Sequence, residues 1–148
     1  MRSSNQFLRI KIGGTEFLLP GGVSLTIEQW DQMQPAAADE IASGWKQERG
    51  QRWPAYGVDE DLQLVRRDDW QRAVFLDAKP TPVGLIVDDA QMVTREALRT
   101  ENFTPLGAPP SAYGALFHGA WLPPSRIPVF VFEAAALVGY LQTLGART

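Results

Sequence analysis

The chain has 148 residues, 45% of them apolar and 21% charged, with a net charge of −3 and no cysteine. That length suits one ordinary domain or two small ones sharing a core, and the composition is that of a globular chain. Disulfide frameworks and thiol chemistry are excluded, and the negative balance disfavours nucleic acid or an anionic membrane surface as partner.

The opening residues, MRSSNQFLRIKIGG, hold no continuous apolar stretch of the signal-peptide kind. The longest apolar candidate, Ile127 to Leu144, is broken by Pro128, Glu133 and Gly139 and falls short of the roughly 18 apolar residues of a membrane span. A cytoplasmic chain with no membrane insertion is the expectation.

Phe7 to Ile12 (FLRIKI) alternates, with Leu8, Ile10 and Ile12 on one face and Arg9 and Lys11 on the other, as in a half-buried strand. Gly13-Gly14 then forms a two-residue turn able to take positive φ at both positions, and Thr15 to Leu19 returns as a second strand. Val23 to Trp30 reads as a strand running into a helical turn. Gln34 to Ala42 reads as a loop with a short helix starting near Pro35.

Gly44 to Gly57 (GWKQERGQRWPAYG) has the form of a hairpin with Arg49-Gly50 at its turn, Trp45 and Trp53 on its arms, and Pro54 on an edge or at a bulge. Val58 to Val65 begins acidic and becomes apolar, which suits a turn of helix starting near Asp59.

The central stretch is Val83 to Asp88 (VGLIVD), too short and too continuously apolar for anything but a strand buried on both faces. Arg72 to Ala78 precedes it as its hairpin partner across Lys79-Pro80-Thr81-Pro82, a connection that excludes helix. Gln91 to Leu98 continues outward, and Glu101 to Pro110 is a loop by composition. Tyr113 to Trp121 and Ile127 to Phe132 are strands separated by Leu122 to Ser125. Glu133 to Leu144 closes the chain as a helix with Ala134, Leu137, Leu141 and Leu144 on its buried stripe and Gly145 as C-cap. Roughly eight to ten short strands and one good helix argue an all-β fold with a C-terminal helix, built of small barrels or sandwiches.

Little in the sequence points to catalysis. Asp88 and Asp89 are adjacent, and neighbours on a strand face opposite ways, so they are the charged end of a buried strand and not a chelating pair. His118 is the single histidine, with no G-x-S-x-G nucleophile and too few other ligands for zinc. Asp59-Glu60-Asp61 lacks the spacing of a calcium loop, the glycine pairs belong to no phosphate loop, and Arg66-Arg67 is too short a basic run to mean nucleic acid. The tryptophans Trp30, Trp45, Trp53, Trp70 and Trp121 are too many for one core, and Trp53 beside Pro54 is the best interface candidate.

Three stretches, in order, resemble the chemotaxis coupling proteins of the CheW-like family. GWKQERGQRWPAYGVDEDLQL resembles that family's strand, Arg-Gly turn and proline-bearing strand. RAVFLDAKPTPVGLIVDDAQMV resembles its hairpin with the Gly-Leu-Ile/Val-Val-Asp run, and YGALFHGAWLPPSRIPVFVFEAAALVGYL its closing hairpin and terminal helix. With Phe7 to Leu19 matching the opening hairpin, the resemblance covers most of the chain.

The resemblance implies one domain over residues 1–148 made of two intertwined five-stranded SH3-like barrels, with no catalysis and no cofactor. It also implies an adaptor that bridges a chemoreceptor cytoplasmic tip and the regulatory domain of a histidine kinase, with chemotaxis or pilus motility as output. The family's receptor groove lies between the barrels, and by position Arg49 and Val87 match residues near it. With Gly50 and Trp53 they make up the expected partner-binding set. A small-ligand barrel with a deep tryptophan-lined pocket is the alternative. An enzyme would need polar groups clustered in one cleft.

Overall fold

The computed structural model describes residues 6–20, 24–37, 39–65, 70–94, 100–102, 116–121 and 129–145. The expected loop at Glu101 to Pro110 lies mostly outside these residues. So do Arg66-Arg67, the start of the Tyr113 strand and the Leu122 to Ser125 connection.

The chain opens with β1 (Gln6–Ile12) and β2 (Thr15–Pro20), paired antiparallel across a turn in which Gly13 alone takes positive φ, at 62°. It then leaves this sheet and builds all of a second one: β3 (Ser24–Gln29), β4 (Gln34–Pro35), β5 (Gly44–Glu48), β6 (Gln51–Tyr56), β7 (Arg72–Leu76) and β8 (Val83–Val87). With β9 (Asp89–Thr94) it returns, adding β10 (Thr100–Asn102), β11 (Phe117–Trp121), β12 (Val129–Phe132) and finally α1 (Ala134–Gly145). The first sheet runs β10-β11-β12-β2-β1-β9 and the second β3-β7-β8-β6-β5-β4. Among the described residues each sheet therefore has six strands, where five-stranded barrels were expected. The additional members, β4 and β10, are outermost and only two and three residues long.

Strand alternation explains why the central segments are apolar on both sides. In β8, Val83, Leu85 and Val87 face a core shared by the two sheets, while Ile86 faces the interior of the second sheet with Ala55, Trp70, Ala73 and Phe75. In β7, Val74 and Leu76 turn to the shared core, and Ala73 and Phe75 to the second interior. The first sheet divides in the same way. Leu8, Ile10, Ile12, Phe17, Leu19 and Phe132 meet the shared core, and Phe7, Leu18, Val129 and Val131 form a separate cluster. Two sheets each enclosing its own cluster, with a third core between them, make a pair of small barrels joined along one face.

Gly84 belongs to this packing. A Cβ there would lie 2.8 Å from Phe75 Cε1 and 3.1 Å from Ala55 Cβ, so β8 lets the Phe75 ring and β6 close against it only because position 84 has no side chain. The β5–β6 turn is also fixed by its residues. Arg49 at φ 48° and Gly50 at φ 82° give both central positions the left-handed conformation of a two-residue hairpin turn. Pro54 is buried on an interior strand and not at an edge. It sits just before the point where the parallel pairing of β6 with β8, at Ala55 and Tyr56, begins.

Helix α1 follows β12 of the first sheet yet packs on β8 and β6 of the second. Leu137, Leu141 and Leu144 are its buried residues, and Ala134 is half-buried. Glu133 caps it by accepting a hydrogen bond from the Ala136 N–H at 3.0 Å. No helix among the described residues is long and apolar enough to cross a membrane.

Two further local expectations are corrected. Pro35 does not start a helix but lies in β4, the outermost strand of its sheet, where a missing N–H breaks no ladder. Asp59 does not start a helix either. Its Oδ1 accepts from the N–H groups of Asp61 and Gln63, both at 2.9 Å, and a bridge between Val58 and Leu64 closes the loop into a tight turn.

Candidate functional site

Four phenylalanines from three strands, β2, β11 and β12, meet on one sheet face. Phe130 of β12 is the parallel partner of Phe17 of β2. The Phe117 ring stacks on Phe17 at 5.9 Å and on Phe132 at 5.1 Å, and lies 5.2 Å from Phe130. Phe132 is fully enclosed and Phe17 nearly so, whereas Phe117 and Phe130 are only half-buried. The shared core thus reaches the surface here, as the floor of a groove of about 420 Å³. Its opposite wall is the turn after β6, with Leu62 at the floor and Glu60 and Asp61 on the rim. The groove lies where the face of the first sheet meets a loop of the second.

That wall is held from several directions. Leu62 takes the left-handed conformation at φ 64°, unusual for a residue with a branched side chain, and its side chain is buried in the shared core. Its carbonyl accepts a hydrogen bond from the Tyr140 hydroxyl of α1. The Leu62 N–H donates to the Asp59 carbonyl at 2.9 Å. The bare Cα of Gly13 makes room for the Glu60 side chain, since a Cβ there would meet Glu60 Cδ at 2.7 Å.

Of the partner-binding set expected from sequence, the β5–β6 hairpin carries three and the core the fourth, and none lines the groove. Arg49 and Gly50 are exposed at the hairpin turn. Trp53 is half-buried, tilted against Phe75 at 5.8 Å, with the Lys46 ammonium 5.7 Å from its ring. Lys46 is itself held by Glu48 at 3.0 Å and Glu28 at 3.4 Å. The hydrogen bond to Glu48 raises its pKa above the usual lysine value against the opposing effect of burial. Val87 has no exposed surface at all, so its side chain cannot touch a partner. It packs the shared core.

The remaining candidates are placed as follows. Asp88 and Asp89 do point to different partners, Asp88 Oδ2 accepting from the Gly13 N–H at 2.7 Å and Asp89 pairing with Arg72 at 2.6 Å. Trp30 meets the buried Trp70 edge-on at 4.8 Å inside the second barrel, and Trp45 packs at the margin of the shared core beneath Arg52. The side chains of His118 and Trp121 lie outside the described residues. Among the described residues, no three histidine, aspartate or glutamate side chains gather as metal ligands do.

Of the groove residues, Phe117 and Phe130 were not singled out from sequence, and Glu60 and Asp61 stood out only as part of an acidic run without the spacing of a calcium loop. Their only local signal is alternation in IPVFVF, which places Phe130 and Phe132 on one face, and an acidic run too short to interpret alone.

Two joined barrels, a shared core that surfaces in an apolar groove, and a terminal helix strapped across make up the fold. No family model and no curated protein matches the chain in sequence. Among solved structures, the chain is similar to the scaffolding protein TtCheW from Thermoanaerobacter tengcongensis, with a TM-score of 0.62 over 88% of this chain and 90% of that one. At 12% identity the likeness is one of fold, and the chain has a CheW-like fold.

Proposed function

We propose that the chain is a non-enzymatic adaptor, acting as one unit over residues 1–148, that couples a chemoreceptor cytoplasmic tip to the regulatory domain of a histidine kinase. The observation that carries this is the apolar groove between a face of the first sheet and the turn after β6, floored by Phe17, Phe117 and Phe130, in a fold shared with a scaffolding protein. Such a groove with a polar rim suits a helical partner. The β5–β6 hairpin of the second sheet, carrying Arg49, Gly50 and Trp53, is the surface left for the kinase domain. Val87 serves both by holding β8 in the shared core. The ligand-barrel alternative asks for a deep tryptophan-lined pocket, whereas this groove is lined by phenylalanine.

Pull-down with a receptor-tip hairpin and, separately, with a kinase regulatory domain tests the proposal. The folded chain is expected to retain both. Phe130→Lys is expected to release the tip alone, and Arg49→Glu with Trp53→Ala the kinase domain alone. Retention of neither partner by the unaltered chain overturns the adaptor reading.

A further inference from the structure

The floor of the groove constrains what can fill it. Its strands β2, β11 and β12 are all interior in the order β10-β11-β12-β2-β1-β9, so each already has ladder partners on both sides. Strand addition needs an unpaired edge, and none is offered here. Recognition at this floor is by side chains alone. A volume of about 420 Å³ takes a few aliphatic side chains and not the body of a helix, so an occupant lies across the groove and inserts one stripe.

The rim adds a sign. Glu60 and Asp61 are exposed, and neither is ion-paired with a cation among the described residues. They stand on a turn whose backbone is fixed by Asp59, by the inward-turned Leu62 and by the Tyr140 hydroxyl, and the Glu60 side chain lies against Gly13, so both exposed carboxylates are held beside an apolar floor.

We propose that Glu60 and Asp61 select the occupant of the groove, an amphipathic helix whose apolar stripe is flanked by lysine or arginine. This rests on reading the groove as a docking surface. Charge at such a rim acts mainly on encounter rate and on rejection of wrongly charged partners, and it is screened by salt.

Fluorescence anisotropy with three labelled synthetic peptides tests this on the full chain. One is a helix with leucines at i, i+3 and i+7 flanked by lysines, the second replaces those lysines with glutamates, and the third is the lysine peptide interrupted by proline. The lysine helix is expected to bind about tenfold tighter than the glutamate helix at low salt, with the gap closing near roughly 300 mM salt. Glu60→Lys with Asp61→Lys is expected to reverse the order, and Phe130→Lys to abolish binding of both. Equal affinities, no binding, an unchanged order in the double variant, or equal binding of the proline peptide would each overturn the proposal. So would a dimer in sedimentation that Phe130→Lys dissociates, since a second copy would then fill the groove. A receptor-tip hairpin that fails to bind while the peptide order holds overturns the coupling reading and leaves the charge selection standing.

Discussion

Asp88 Oδ2 accepts a hydrogen bond from the Gly13 N–H at 2.7 Å, across 75 residues of sequence. Asp88 is the single residue between β8 and β9, where the chain crosses from the second sheet back to the first. Its own N–H donates to the Lys11 carbonyl at 2.7 Å, so main chain and side chain together tie this crossing to the β1–β2 turn. Hydrogen bonds to an ionised carboxylate are worth more than neutral ones, typically about 1.5–3 kcal/mol, and partial exposure places this one at the low end. Asp88→Ala is therefore expected to cost about 1.5 kcal/mol in urea unfolding, and Asp88→Asn, which keeps an acceptor oxygen, less. Equal stability of Asp88→Ala and the unaltered chain would show that the bond adds nothing.

Leu85 and Val87 test the shared core. Leu85 is 1% exposed and sits between the two sheets, so Leu85→Ala opens a cavity that strands on both sides resist filling. The expected cost is about 2–5 kcal/mol, read from the urea midpoint. Val87→Asp puts a carboxylate where nothing described can pair with it, and loss of the cooperative unfolding transition is expected. A folded Val87→Asp variant with an unchanged melting temperature would mean that β8 is not the enclosed strand described.

The Val83–Val87 run was legible because both faces of β8 are buried, so the apolar signal is continuous and local. The Arg49-Gly50 turn was legible for the same reason, since its conformation depends on two adjacent residues. Pro35 was misread because a proline that can begin a helix is equally at home on an outermost strand, and only the sheet order decides. Asp59 was misread because an aspartate that starts a helix also forms a side-chain-closed turn, and the bridge from Val58 to Leu64 settles which. The groove had almost no local trace. Phe17 and Phe130 become neighbours through a parallel pairing, which no short window of sequence contains.

Alkaline pH provides a separate test. Burial pushes the Tyr56 hydroxyl pKa above its ordinary 10.0, and the Glu48 hydrogen bond pushes the Lys46 ammonium above 10.5. Both groups hold their protons more tightly folded than unfolded. Their contributions are thus fully present below the ordinary values and are lost as pH climbs through the raised ones. Urea midpoints measured upward from neutral pH are expected to hold and then to fall above about pH 10. Tyr56→Phe is expected to flatten part of that fall, because phenylalanine has no proton to lose. A decline of the same steepness in Tyr56→Phe would remove Tyr56 as a cause.

Tyr140 links the terminal helix to the groove. Its hydroxyl is bonded to the Leu62 carbonyl, 78 residues away, and Leu62 holds a backbone conformation that residues with side chains seldom adopt. Removing the hydroxyl leaves that carbonyl short of a donor while the strain in the turn remains. Tyr140→Phe is expected to cost about 1 kcal/mol in global stability, as for an ordinary hydrogen bond. The larger change should be local. Amide exchange at Leu62 and Gln63, whose N–H groups close the turn on Asp59, is expected to speed by more than the global loss accounts for. Binding of the lysine-flanked helix should weaken in step, since Glu60 and Asp61 would then stand on a looser support. If exchange at those amides tracks global unfolding alone, the turn owes nothing specific to Tyr140, and its rigidity comes from Asp59 and the buried Leu62 side chain.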